Sequence, residues 1–72
     1  MTPATEIILT IVRGGKRIYE KEGYYNIWTF AKGYGLAVSI HDAVEDEVIF
    51  EDLPIGSMVV NAPFVYIQIE RD

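Results

Sequence analysis

A chain of 72 residues with a net charge of −5 and no cysteine has room for one small hydrophobic core and for neither a disulfide framework nor a thiolate metal site. Half of its residues are hydrophobic and 24% are charged, which marks a globular chain and excludes a disordered one. A single domain over residues 1–72 is expected. The N-terminal MTPATEIILTIV has no basic segment ahead of its apolar run, and the run is too short to span a bilayer. Neither signal peptide nor membrane anchor is expected, and a cytoplasmic setting is favoured.

The charge is unevenly placed. Residues 1–36 hold five basic residues (Arg13, Lys16, Arg17, Lys21, Lys32) against three acids, whereas residues 37–72 hold Arg71 against eight acids, so balances of +2 and −7 make up the −5. An acidic whole disfavours direct nucleic-acid binding, which draws on Lys and Arg to displace counterions from phosphates. A protein partner with a basic surface is the better electrostatic match.

In chain order, Glu6-Ile-Ile-Leu-Thr-Ile-Val12 is rich in β-branched residues and is followed by Arg13-Gly14-Gly15-Lys16, the two-glycine signal of a tight hairpin. With Gly14 and Gly15 as the loop, Val12 faces Arg17, Ile11 faces Ile18 and Leu9 faces Glu20 on a return strand over 16–22. That register puts Ile7, Leu9, Ile11 and Ile18 on the core side and leaves Ile8, Thr10, Val12, Arg17, Tyr19 and Lys21 on an amphipathic one.

The next segment, GYYNIWTFAKGYG at 23–35, holds the only tryptophan and most of the tyrosines. With Lys32-Gly33-Tyr34-Gly35 as a loop, Trp28 falls opposite Ser39, Ile27 opposite Ile40 and Asn26 opposite His41. One face then carries Tyr25, Ile27, Thr29, Ala31, Leu36, Val38 and Ile40, a core set. The other carries Tyr24, Asn26, Trp28, Phe30, Ala37, Ser39 and His41, aromatic rings mixed with hydrogen-bonding groups. A helix over 26–44 competes, since Ile27, Phe30, Ala31, Tyr34 and Val38 share a stripe at helical spacing. Two interior glycines and the β-branched run weigh against it, and a short helix near 36–45 is the remaining alternative.

Glu45-Asp46-Glu47 reads as a charged turn, Val48–Glu51 as a short strand, Leu53-Pro54-Ile55-Gly56-Ser57 as a turn, and Met58–Asn61 as a further strand. Ala62-Pro63 breaks that strand, and Phe64–Glu70 alternates, with Val65, Ile67 and Ile69 on its inner side. Five to seven short strands predict an all-β (or β-rich α+β) domain, a small antiparallel sandwich or partly open barrel. The run Phe50-Glu51-Asp52-Leu53-Pro54-Ile55-Gly56-Ser57-Met58-Val59-Val60 resembles the F-x2-L-P-x-G turn and strand near the end of prealbumin-like and Cna-B-like immunoglobulin-type sandwiches. The resemblance spans eleven residues, implies a sandwich, and transfers no functional residue.

Catalytic chemistry finds little footing. His41 is the only histidine, and Ser39 on the same strand face stands about 6 to 7 Å away, beyond a direct hydrogen bond. The acids from Asp42 to Asp52 lack the glycine that sharpens a calcium loop, and the glycine pairs do not lead into a helix as a phosphate cradle requires. No enzyme, metal or cofactor is expected.

The binding candidates are the aromatic face, Tyr24, Asn26, Trp28, Phe30, Tyr34 and His41, and the acidic turn of Glu45, Asp46 and Glu47. They predict a non-enzymatic protein-binding module, such as a viral or mobile-element inhibitor whose acids imitate nucleic-acid phosphates on a basic surface. The alternatives are an assembly subunit that forms a homo-oligomer through its aromatic face and edge strands, and a carbohydrate- or single-strand-binding β-domain.

Overall fold

The computed structural model describes residues 5–61 and 63–70. Five strands follow in order: β1 Thr5–Arg13, β2 Lys16–Lys32, β3 Gly35–Asp42, β4 Glu47–Asn61 and β5 Phe64–Ile69. Each pairs with the next in antiparallel fashion, and β5 closes the ring against β1 in parallel. The all-β prediction holds, and of the two architectures the barrel is found, closed rather than partly open. Residues 36–45 contain no helix: β3 and a turn occupy them, because Ala37, Val38 and Ile40 are buried on a strand that β2 and β4 flank on both sides. No helix among the described residues is long and apolar enough to cross a membrane.

Two long strands make the ring possible. Tyr25 is the last β2 residue to pair with β1, at Thr5, and the first to pair with β3, at Asp42. Ile55 does the same in β4, pairing with Leu36 of β3 and Ile69 of β5. Each long strand therefore serves one side of the barrel with its first half and the other side with its second. Both pivot residues are buried, as expected where a strand turns around a core. This overturns two sequence expectations: β2 does not stop near Glu22, and Leu53–Ser57 is not a turn between strands. Pro54 and Gly56 are tolerated in β4 because the strand changes partners there, with a bulge between Ile55 and Ser57. The eleven residues that resemble a sandwich motif thus lie within one barrel strand. Ala62 lies outside the described residues.

The first hairpin keeps the predicted pairing at Val12 and Arg17, then shifts by one residue, so that Ile11 faces Tyr19 and Leu9 faces Lys21. Ile18 is the extra residue of this bulge and is 47% exposed, not a core residue. The shift follows from packing, since it turns the larger ring of Tyr19 inward, edge-on to Phe50 of β4 at 5.6 Å between centroids. In the second hairpin every predicted pair from Asn26 with His41 to Ala31 with Leu36 is observed, and the loop is only Gly33-Tyr34, because Lys32 also pairs with Gly35. Thr29, Ala31 and Leu36, assigned to the core by alternation, are exposed where this hairpin reaches the mouth of the ring.

The interior is filled by Ile7, Leu9, Ile11, Tyr25, Ile27, Val38, Ile40, Ile55, Val65, Ile67 and Ile69. The Tyr25 hydroxyl donates to the Lys21 carbonyl at 3.1 Å and lies within hydrogen-bond distance of the Tyr19 hydroxyl, at 3.2 Å. Its ring lies over Gly23, where an added Cβ would stand 3.3 Å from the phenolic oxygen, a tight approach for which the ring would have to give by a few tenths of an ångström.

Truncating Ile40, fully buried, to alanine should cost about 2 to 5 kcal/mol, read as a lower urea midpoint. Burial and then the Tyr19 hydrogen bond push the Tyr25 phenol up. The folded state therefore keeps a neutral phenol where the unfolded chain ionises near pH 10. The stability this contributes is complete below about pH 10 and is lost as pH rises toward the folded value. Thermal melts from pH 8 to 11.5 should show a shallower alkaline decline for Tyr25→Phe than for the parent chain.

Candidate binding face

Alternation fixes which side chains leave the barrel. On the half of β2 after Tyr25, residues Ile27 and Tyr25 point inward, so Asn26, Trp28 and Phe30 stand outside. Their cross-strand partners on β3 are His41, Ser39 and Ala37, and Val48 of β4 lies beyond His41. Trp28 and His41 are not directly opposite but diagonal neighbours, and their rings meet at 4.6 Å between centroids with planes 65° apart. Trp28, Thr29, Phe30, Ser39 and His41 line a shallow depression of about 400 Å³. Phe30 is exposed, Trp28 and His41 half-buried. No helix and no second layer among the described residues covers this face.

The structure brings Trp28, Phe30 and His41 together, sets Asn26 beside His41, and places Tyr24 at the end of the same row. Tyr24 is exposed, and a hydrogen bond and the negative charge from Glu6 raise its phenol pKa. Tyr34 is separated from this group. It is fully exposed at the tip of the second hairpin and borders a different hollow, of about 420 Å³, with Lys32, Leu36, Ala37, Pro54 and Glu70. Its expected place on the aromatic face came from composition, and alternation says nothing about a loop residue.

The acids divide into two kinds. Asp42, next to the histidine, is buried, and its Oδ1 accepts the amide protons of Val44 at 2.8 Å and Glu45 at 2.9 Å, an Asx turn that shapes the loop into β4. The Ala43 amide reaches the Tyr24 carbonyl at 2.8 Å, which ties the loop to the aromatic row. Glu45 and Asp46 on that loop and Glu47 at the start of β4 are exposed, with Asp46 at φ +52°.

The second acidic feature was not foreseen. Between Val38 and Ile40 the β3–β4 register shifts, and Asp52 adopts φ +60° there. Its amide donates to Ser39 Oγ at 3.2 Å, and its carboxylate pairs with Lys32 across the sheet. Ser39, considered above as a possible nucleophile, is thereby a brace for the bulge. No sequence signal marks Asp52, whose role comes from a register shift. Among the described residues no group of three or more His, Asp or Glu side chains could hold a metal ion.

The turn makes a pH prediction. The Glu45 and Val44 amides, helped by Lys21 and opposed by burial, hold the Asp42 carboxyl below the usual carboxylate range. Its contribution is therefore present above about pH 4, where the unfolded chain's aspartate is ionised, and is lost as pH falls through the lower folded value. Asp42→Asn keeps an acceptor oxygen without the charge, and its stability should fall less than the parent's between pH 4 and 2 in chemical unfolding.

No protein-family model, no curated protein and no solved structure matches this chain.

Proposed function

We propose that this protein is a small non-enzymatic binding module that docks a protein with a basic surface on the outer face of the second hairpin. The observation that carries this reading is the Trp28–His41 ring pair with Phe30 around an uncovered depression outside a single-layer barrel. Tryptophan and its neighbours are the usual anchors of a protein contact. The acids Glu45, Asp46 and Glu47 at one end of the row and Glu51 and Asp52 along β4 supply complementarity to a cationic surface, which acts on association rate and partner choice. An inhibitor that occupies a basic groove is the role that suits this combination.

Self-association through the same face is the rival, and the same experiments separate the two. The parent chain, Trp28→Ala and the triple variant Glu45→Gln, Asp46→Asn, Glu47→Gln should all fold by circular dichroism. As immobilised baits at low salt, the parent should retain a set of basic proteins that both variants and a high-salt wash lose, because contacts between exposed charges are screened. Retention that ignores both the salt and the substitutions would refute the proposal. Growth of the light-scattering mass with concentration, abolished by Trp28→Ala, would establish self-association in its place.

A further inference from the structure

We infer that the depression at Trp28 is a seat for an arginine side chain of the partner, a step that rests on the binding reading above and specifies its chemistry. The lining is made of three aromatic rings, Trp28, Phe30 and the polar His41, with Thr29 and Ser39 among them. An aromatic face attracts a cation, most strongly when the ring is an indole. The hollow is shallow and open, which suits a planar group lying flat on the indole better than a compact ammonium that needs enclosure.

A residue that borders it through Ser39 carries a carboxylate. Ser39 Oγ holds the Asp52 amide, which anchors Asp52 next to the hollow, and Lys32 already rests on that carboxylate from an exposed position. Asp52 thus carries a cation in the free protein, and an incoming guanidinium can exchange with Lys32 while forming two parallel hydrogen bonds where an ammonium forms one. Lys32 acts as a resident competitor in this scheme. Exchange between exposed groups is inexpensive, because such pairs contribute little to stability.

The test uses two labelled peptides of equal length and charge, one with arginine and one with lysine alternating with glycine, titrated into the full chain by fluorescence anisotropy. The arginine peptide should bind about fivefold tighter or more, the factor corresponding to about 1 kcal/mol of cation–π contact. That preference should vanish in Trp28→Leu, with folding confirmed by thermal melting. Lys32→Gln should tighten the arginine peptide more than Lys16→Gln does, although both remove one positive charge. Lys16 lies on the first hairpin, outside the depression. Equal affinity for the two peptides, still dependent on Trp28, would overturn the arginine seat and leave the basic-partner reading standing. Failure of both peptides to bind at low salt would overturn both readings.

Discussion

A ring of five strands has one inside, and that constraint governs the rest of this molecule. In a chain of this size the inside is filled by a single set of aliphatic side chains and Tyr25, and no second layer of secondary structure exists among the described residues. Every residue of opposite parity must therefore face outward, whatever its polarity. A charged or small side chain accepts this at little cost. For Trp28 and Phe30 it means that large apolar rings stand on a surface, the first half-buried and the second exposed.

How the ring closes decides where those rings go. The pivot at Tyr25 carries β2 from β1 to β3, and the pivot at Ile55 carries β4 from β3 to β5. Tyr25 does more than turn the strand: its hydroxyl is tied to Lys21 and Tyr19 on the preceding half, and its ring occupies the space that Gly23 vacates. The candidate binding face begins immediately after this pivot. Core packing and the geometry of the outer face thus share one residue.

Electrostatics follows the same division between brace and contact. Asp42 and Asp52 are engaged with the backbone or with Lys32 and hold the two irregular places that flank the face, the Asx turn and the β4 bulge. Glu45, Asp46 and Glu47 are exposed and give that end of the molecule a negative field. A chain that is acidic overall therefore commits the Asp42 carboxylate to its own turn and presents Glu45, Asp46 and Glu47 outward at the end of the aromatic row.

Local pattern was enough for the second hairpin. Period-two alternation from Tyr25 to Ile40 and a glycine-flanked turn specify both register and faces, and six predicted cross-strand pairs from 26 to 41 are the observed ones. The same reasoning failed at Ile18, where a bulge lets Tyr19 meet Phe50 from the far side of the barrel, a contact between residues 31 positions apart that no local window contains. It also failed at Leu53–Ser57, because proline and glycine ordinarily end a strand, whereas here the strand changes partners: Pro54 pairs on its β3 side alone, with Ala37, and Gly56 falls in the bulge toward β5. Tyr34 and Asp52 were misplaced or missed for a like reason, since a loop tip and a register shift have no parity. By itself the sequence determined that the chain forms strands, which side chains of 25–40 share a face, and that its charge is acidic and lopsided. These follow from alternation and composition. Ring closure, the two pivots, the bulges and the exposure of Trp28 were decided by tertiary structure, because each depends on which distant strand completes the hydrogen bonding and fills the one interior.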